Sequence, residues 1–116
     1  MRRHPAADPA PADEQWGPER LDELIAAADW LVLAPPLTSE TRGLIDARRL
    51  ALMKPGAILV NLGRGALVDE RALTDALLKG RLAGAALDVF EHEPLAAASP
   101  LWRLPQVIAT PHISGF

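Results

Sequence analysis

The stretch Ala57-Ile58-Leu59-Val60-Asn61-Leu62-Gly63-Arg64-Gly65 decides the fold of this chain. Its first four residues form a short apolar run, which is typical of a strand buried on both faces of a parallel sheet. A polar turn follows at once, so Arg64 comes just beyond the carboxyl end of that strand. The two glycines beside Arg64 allow a sharp turn and a close approach to a ligand. The stretch therefore predicts a buried strand that delivers a cation to the edge of a sheet.

The same alternation of elements continues on both sides of this stretch. Three further apolar runs predict buried strands at residues 31–34, 85–89 and 107–110. Amphipathic segments predict helices at residues 18–28, at 47–53 capped by Asp46, and at 70–79 capped by Asp69 and ended by Gly80. The spacing of the strands is close to the roughly 30 residues that a parallel strand with its crossover helix needs. The sequence predicts an α/β fold of the doubly wound kind, with about four parallel strands and flanking helices.

Charge and composition exclude several functional classes. The 116 residues contain 12 Lys+Arg and 15 Asp+Glu, which give a net charge of -3 and argue against nucleic-acid binding. The apolar runs are far shorter than the roughly 18 residues of a membrane span. The chain has no cysteine, which excludes disulfides, thiolate nucleophiles and cysteine-rich zinc sites. We therefore expect a cytoplasmic protein that binds small molecules.

The chain is predicted to begin with a connector. Residues 1–17 include Pro5, Pro9 and Pro11, which remove backbone donors and favour an extended loop. Arg2 and Arg3 are basic, but no apolar segment follows them, so we predict no targeting peptide. Residues 18–116 then make one domain, because a chain of this length buries enough surface for one core and not for two.

Three polar side chains follow three successive predicted strands. Arg64 follows the second strand, Glu93 the third and His112 the fourth. Ligands of parallel α/β sheets bind beyond the carboxyl ends of the strands. A guanidinium can grip a carboxylate through two hydrogen bonds, and an imidazole with an ordinary pKa near about 6.5 can move a proton. Together the three side chains predict a site that binds a carboxylate substrate and transfers one proton.

Each of these side chains alone also has an ordinary structural explanation. Arg64 can be a surface residue of a tight turn, His112 a hydrogen-bonded structural histidine, and Glu93 an exposed acid before a proline. No metal site is predicted, because the consecutive residues Glu91-His92-Glu93 point in divergent directions and no further ligand pair completes a shell. The dinucleotide-binding turn is not predicted either, because Val68 stands at the third glycine position after Gly63 and Gly65.

Several blocks taken together resemble the D-isomer-specific 2-hydroxyacid dehydrogenases, especially their glyoxylate/hydroxypyruvate reductase-like members. The resemblance covers about residues 20–116. It rests on Asp29-Trp30-Leu31-Val32-Leu33, Pro36-Leu37-Thr38-Ser39-Glu40-Thr41-Arg42-Gly43-Leu44-Ile45, Met53-Lys54-Pro55-Gly56-Ala57, Val60-Asn61-Leu62-Gly63-Arg64-Gly65, Leu87-Asp88-Val89-Phe90, Glu93-Pro94 and Thr110-Pro111-His112. It implies a Rossmann-like fold and an NAD(P)-dependent oxidoreductase.

The resemblance implies a role for individual residues. Arg64, Glu93 and His112 would be catalytic in hydride transfer between a nicotinamide ring and carbon 2 of a 2-keto or D-2-hydroxy acid such as glyoxylate or hydroxypyruvate. The cofactor, NAD or NADP, would contact Pro35, Leu62, Gly63, Arg64, Asp88 and His112, with Asp88 near the nicotinamide carboxamide. The resemblance also implies a homodimer for the full-length form, while the charge and the short apolar runs predict binding of neither nucleic acid nor membrane.

The chain also departs from the family pattern. In the family, the glycine-rich turn and the first strands precede this segment, and both chain termini build the substrate lobe. We therefore interpret residues 18–116 as the C-terminal half of a dinucleotide-binding domain and expect little or no turnover from the isolated chain. The alternatives are a non-catalytic nucleotide-binding or corepressor-like interaction module, and an inactive truncated product, because fold alone does not fix function.

Overall fold

The structure is a computed structural model that describes residues 12–115. Four strands form one parallel sheet in the order β1-β2-β3-β4: β1 Trp30–Leu33, β2 Ile58–Asn61, β3 Gly84–Leu87 and β4 Val107–Ala109. The helices are α1 Leu21–Ala27, α2 Ala47–Leu52 and α3 Glu70–Leu78, and short 3-10 turns occur at Pro18–Arg20, Gly65–Leu67 and Pro100–Arg103. The predicted α/β fold with about four parallel strands is confirmed.

The predicted helix ends agree with the structure. The Asp46 side chain accepts a hydrogen bond from the Arg49 amide at 2.9 Å, and Asp69 caps α3 by accepting one from Ala72 at 3.1 Å. Gly80 follows α3 with a φ of 69°, a left-handed conformation that glycine adopts at no steric cost. Residues 12–17 contain no helix or strand, and the rest of the predicted connector lies outside the described residues.

The register of the sheet brings the four strand ends to one level. Leu33 at the end of β1 pairs with Asn61 of β2, Asn61 pairs with Leu87 of β3, and Leu87 pairs with Ala109 of β4. The residues that follow each strand therefore begin at a common edge. Arg64, Glu93 and His112, which are predicted to act together, all lie in loops that begin at this edge.

The expectation of strands buried on both faces is wrong for β1 and for Ile108 of β4, whereas the outward residues of β2 and β3 are half-buried or buried. Leu31 and Leu33 are buried, whereas Trp30 and Val32 on the opposite face of β1 are 64% and 55% exposed. The strands follow one another across the sheet in chain order, so right-handed crossovers place every connection on the same face. Only that face is covered by helices, and the other face carries apolar side chains that remain exposed.

The hydrophobic core lies between the sheet and its single helical layer. Its fully buried members come from α1, β2, α3 and the connecting segments, and include Ile25, Ile45, Leu59, Leu67, Leu73, Leu77 and Leu101. Leu101 belongs to the 3-10 turn that replaces a helix between β3 and β4, so this connection is also anchored in the core. Within residues 12–115, no helix is both long and apolar enough to cross a membrane.

Candidate active site

Arg64 lies in a turn that one buried amide holds together. Asn61, the last residue of β2, is 1% exposed. Its Nδ2 donates to the Arg64 carbonyl at 3.0 Å, and its Oδ1 accepts from the Gly63 amide at 3.1 Å. The Arg64 side chain is exposed, and one of its terminal nitrogens donates to the Gly63 carbonyl at 2.9 Å. The turn thus fixes the backbone of Arg64, while most donors of its guanidinium make no hydrogen bond within residues 12–115.

The two glycines of this turn are required by close packing and not by unusual backbone angles. Neither is among the glycines with positive φ. A Cβ at Gly65 would overlap the carbonyl group of Phe90, in the loop after β3. A Cβ at Gly63 would lie 3.0 Å from the carbonyl oxygen of Pro35, in the loop after β1. The glycines therefore let three neighbouring loops pack against one another at the sheet edge.

Glu93 and His112 form a hydrogen-bonded pair at the same edge. His112 Nδ1 lies 2.8 Å from Glu93 Oε2, and Glu93 Oε1 accepts from the Phe90 amide at 3.2 Å. The hydrogen bond from His112 is the largest cause that lowers the pKa of Glu93, and the Arg64 charge acts in the same direction. The structure therefore brings Glu93 and His112 into contact and places Arg64 close enough for its charge to reach Glu93.

The loop that carries His112 is closed by Asp88. Asp88 follows β3 and is 2% exposed. Its carboxylate accepts hydrogen bonds from the Thr110 hydroxyl, from the Ile113 amide at 2.9 Å, and from the Ser114 amide and hydroxyl at 2.9 and 2.6 Å. The Ser114 hydroxyl, followed by that of Thr110, is the main cause that lowers the pKa of Asp88 far below its ordinary value. Asp88 is therefore an ionised carboxylate whose hydrogen-bond partners within residues 12–115 all come from residues 110–114.

A cavity of about 600 Å³ opens beside the Glu93 and His112 pair. Its walls are largely apolar, and they include Phe90, Pro94, Leu95, Trp102, Ala109 and Pro111 together with the polar residues Asp88, Glu93, Thr110 and His112. Trp102 is held in place because its indole Nε1 donates to the Ala96 carbonyl at 2.9 Å. Arg64 does not line this cavity, so a ligand that contacts both Arg64 and His112 must extend along the sheet edge.

The predicted cofactor residues lie along that edge. Pro35 follows β1 and is half-buried, while Leu62 follows β2 and is exposed. Gly63 is buried beside Pro35, and Asp88 and His112 follow β3 and β4. The register of the strands, and not proximity in the sequence, brings these residues to one side of the molecule.

Sequence reasoning missed the residues that hold the two loops. The sequence does indicate the role of Asn61, because an asparagine at a strand end, two residues before Gly63, is typical of a turn that its own side chain holds. Thr110 and Ser114 had no such signal, because their partner Asp88 lies 22 and 26 residues away. Trp102 was not predicted as a cavity residue either, because no residue near it in the sequence indicates the cavity.

A family model and two curated relatives match most of this chain. A family model described as D-isomer specific 2-hydroxyacid dehydrogenase, NAD binding domain, matches residues 1–114. Glyoxylate/hydroxypyruvate reductase B of Pectobacterium atrosepticum is 53% identical over 114 residues, which are 97% of this chain and 34% of the reductase. (S)-Sulfolactate dehydrogenase of Chromohalobacter salexigens is 54% identical over 97 residues, which are 84% of this chain and 31% of that enzyme.

A solved structure agrees with these sequence matches. The D-isomer specific 2-hydroxyacid dehydrogenase from Xanthobacter autotrophicus Py2, in complex with NADPH and MES, is 49% identical and superimposes with a TM-score of 0.81. The superposition covers 84% of this chain and 32% of that one. This chain thus spans about a third of the length of the curated relatives it matches.

Proposed function

Because this chain belongs to the D-isomer-specific 2-hydroxyacid dehydrogenases, we propose that it carries the proton-transferring groups of an enzyme that reduces small 2-keto acids to D-2-hydroxy acids. The family predicted from the sequence blocks is confirmed by the match over residues 1–114. The match is to the NAD-binding domain, so the cofactor is NAD or NADP. The names of the relatives support glyoxylate, hydroxypyruvate or another small 2-hydroxy acid as the substrate class.

The residues at the sheet edge fit a nicotinamide cofactor. Leu62 is an exposed apolar side chain directly beyond β2, which offers a contact surface for a flat ring. The backbones of Pro35 and Gly63 approach each other beside it, at the edge where such sheets bind their ligands. We assign Pro35, Leu62, Gly63, Arg64, Asp88 and His112 to the nicotinamide and ribose half of the cofactor, with Asp88 near the carboxamide. The cofactor would supply the hydride when bound.

The hydrogen bond between Glu93 and His112 is the observation that carries this proposal. It engages Nδ1 of the imidazole, and Nε2 has no hydrogen-bond partner among residues 12–115. His112 would donate a proton from Nε2 to the oxygen on carbon 2 as that carbon receives the hydride. One hydride and one proton convert the keto group to a hydroxyl group, so the reaction is balanced. Glu93 keeps the imidazole oriented for this transfer.

Arg64 is suited to hold the substrate carboxylate. A guanidinium has five N–H donors, and in Arg64 one of its nitrogens donates to the Gly63 carbonyl. The remaining donors can bind a carboxylate in the two-pronged geometry that arginine prefers. The positive charge of Arg64 also polarises a keto oxygen that lies near it. We therefore assign substrate binding and carbonyl polarisation to Arg64.

A chimaera tests the proposal. The matching 114 residues of the Pectobacterium atrosepticum reductase would be replaced by those of this chain, and hydroxypyruvate-dependent oxidation of NADPH would be measured. We expect turnover from the chimaera. We expect His112→Gln in the chimaera to lower kcat by about a hundredfold to ten-thousandfold, because a positioned general acid contributes about that much.

The matched control is His92→Gln, which removes an exposed imidazole two residues before Pro94 and should leave kcat unchanged. A chimaera that folds and binds NADPH but does not reduce hydroxypyruvate would contradict the proposal. Equal losses in the His92→Gln and His112→Gln chimaeras would also contradict it, because the effect would then not belong to the Glu93 pair.

Two further expectations, one from the resemblance and one from the composition, remain predictions. One is a homodimer in the full-length form, which sedimentation equilibrium of the full-length protein would test. The other is a cytoplasmic location, which fractionation of expressing cells would test. A monomer or an exported protein would contradict the corresponding prediction without affecting the assignment of Arg64, Glu93 and His112.

A further inference from the structure

We propose that Glu70 is a positioning residue that acts, through Glu91, on the loop that carries Glu93. It fixes the distance between that loop and the turn that carries Arg64. Glu70 begins α3, and Glu91 lies in the loop that follows β3. The proposal rests on the proposed function for the roles of Arg64, Glu93 and His112. The contact itself follows from hydrogen bonds within the chain, and we call the two residues that form it the Glu70–Glu91 pair.

Each member of the Glu70–Glu91 pair accepts a hydrogen bond from the backbone of the other. The Glu70 amide donates to Glu91 Oε1 at 2.9 Å, and the Glu91 amide donates to Glu70 Oε2 at 3.0 Å. The Glu70 amide belongs to the first turn of α3, where backbone amides have no acceptor within the helix. A carboxylate is also favoured there by the partial positive charge of a helix N-terminus. The pair therefore joins two segments that are 21 residues apart in the chain.

The peptide group between Phe90 and Glu91 is held from two sides. Its N–H donates to the Glu70 carboxylate. Its carbonyl lies so close to Gly65 that a Cβ on that residue would overlap it. Because a peptide group is planar, the two contacts together set its orientation.

Both contacts come from one short segment that is anchored in the core. Residues 65–70 supply Gly65 and Glu70, and Leu67 between them is fully buried. The Ile45 amide donates to the Leu67 carbonyl, and the Asp69 amide donates to the Ile45 carbonyl, both at 2.9 Å. The same segment therefore connects the end of the Arg64 turn to the peptide group after Phe90.

The carboxylate of Glu93 is placed by the amide next to this peptide group. Its Oε1 accepts from the Phe90 amide at 3.2 Å, and its Oε2 lies 2.8 Å from His112 Nδ1. If the Glu70–Glu91 pair opens, Phe90 is held by Gly65 alone, and the carboxylate that orients the imidazole shifts with it. Glu70 thus acts on the proton-transferring residues without contacting them.

The first experiment uses the 116-residue chain and follows two groups by NMR, the Glu93 carboxyl group and the Phe90 amide. In the wild type, the hydrogen bond from His112 is the largest cause that keeps the pKa of Glu93 below its ordinary value. We expect Glu70→Ala to shift this pKa towards about 4.3 and to make hydrogen exchange of the Phe90 amide about tenfold faster, because the Glu93 loop opens more often. Neither group is hydrogen-bonded to Glu70, so these changes report on positioning.

Glu70→Gln is the conservative variant, and Asp75→Ala is the matched control. The amide oxygen of glutamine can still accept from the Glu91 amide, so we expect Glu70→Gln to retain the wild-type titration of Glu93. Asp75 is an exposed acid of the same helix that faces the groove between α2 and α3, and its removal should change neither group. An unchanged Glu93 titration in a folded Glu70→Ala chain would overturn the proposal, because Glu70 would then only cap α3.

The partner residue provides a second test, which applies if Glu70→Ala does not fold. Glu91→Ala removes the acceptor of the Glu70 amide but keeps the Asp69 cap of α3. We expect it to shift the Glu93 pKa in the same direction, and Glu91→Gln to restore the wild-type value. Identical Glu93 titrations in Glu91→Ala and the wild type would overturn the proposal.

The reductase chimaera connects the positioning role to catalysis. We expect Glu70→Ala in the chimaera to lower kcat for hydroxypyruvate about tenfold and to leave KM within about twofold, because the Arg64 turn keeps its own hydrogen bonds to Asn61 while the proton donor is misplaced. Glu70→Gln should restore kcat, and Asp75→Ala should leave it unchanged. An active chimaera whose kcat does not respond to Glu70→Ala would overturn the proposal.

Failure of the proposed function would be distinguishable from failure of this inference. If the chimaera without substitutions folds but is inactive, the dehydrogenase activity is rejected. A shifted Glu93 titration in the Glu70→Ala chain would still support the action of Glu70 on the Glu93 loop, and an unchanged titration would overturn it.

Discussion

Two loops at the same sheet edge are held by one buried polar side chain each, but in different ways. Asn61 holds the Arg64 turn with a neutral amide that bonds residues two and three positions further along the chain. Asp88 holds the His112 loop with a carboxylate that bonds residues 22 to 26 positions away. The first loop is therefore a local structure that does not depend on pH. The second is a contact between two strands that needs an ionised carboxylate.

The difference matters for the proposed chemistry. Arg64 carries a permanent charge, and a turn independent of pH is sufficient to present it. In the proposed chemistry His112 exchanges protons, and its orientation depends on Glu93 and on the loop that Asp88 closes. The charged contact therefore lies beside the residue that we propose as the proton donor. Three changes separate the two loops experimentally, and they are described from the largest expected effect to the smallest.

Gly65→Ala should have the largest effect, because Gly65 is where the Arg64 turn packs against the loop that follows β3. The added Cβ would overlap the Phe90 carbonyl, which is backbone and cannot rotate away. We expect a loss of about 3 kcal/mol in the free energy of unfolding, measured by urea denaturation. Gly115→Ala is the control, since a Cβ there meets no atom within 4 Å. Similar losses in the two variants would show that the loops do not pack as described.

Asn61→Ala should have an intermediate effect. It leaves the Gly63 amide and the Arg64 carbonyl without their side-chain partners, and an unsatisfied buried polar group costs about 1–3 kcal/mol. We expect a loss of about 2 kcal/mol that is the same at pH 7 and pH 4. Gln106→Ala removes an amide that donates a single hydrogen bond to the Leu77 carbonyl, and it should cost less. A strongly pH-dependent cost of Asn61→Ala would contradict the neutral character of this turn.

The smallest of the three expected effects is the acid dependence of the free energy of unfolding. It is close to zero near neutral pH and grows below about pH 4. A carboxyl group whose folded pKa lies below its unfolded value of about 3.9 stabilises the fold above that value, and the stabilisation is lost as the pH falls towards the folded pKa. Asp88 is such a group, because the Ser114 and Thr110 hydroxyls lower its pKa. We expect the free energy of unfolding of the wild type to fall on acidification, and that of Asp88→Asn to fall less.

Comparing the wild type with Asp88→Asn removes the contribution that Asp22 makes to the pH dependence of the free energy of unfolding. Asp22 also has a lowered pKa, chiefly through its hydrogen bonds with Arg48 and Arg49, and it adds to the acid dependence of every variant. The difference between the wild type and Asp88→Asn therefore excludes Asp22 and reports on Asp88 together with any change at Glu93, whose pKa is also lowered. Asn61→Ala should keep the full acid dependence of the wild type. Parallel pH profiles for the wild type and Asp88→Asn would contradict the role of the charged contact.

Much of the fold could be predicted from local patterns. The caps at Asp46 and Asp69 and the stop at Gly80 are short-range signals, and all three occur where the sequence indicates them. The four strands lie within one or two residues of the predicted apolar runs. The exposure of Trp30 and Val32 could not be predicted this way, because an apolar run has the same sequence whether or not its second face is covered.

The sequence by itself determined the alternation of strands and helices, the family blocks, and the position of Arg64, Glu93 and His112 after successive strands. These features depend on residues close to one another in the chain. Only the tertiary structure decided that His112 contacts Glu93, that Gly65 must pack against Phe90, and that Asp88 closes the His112 loop. The physical reason is that the register of the parallel strands sets these distances, and no residue within a single segment records that register.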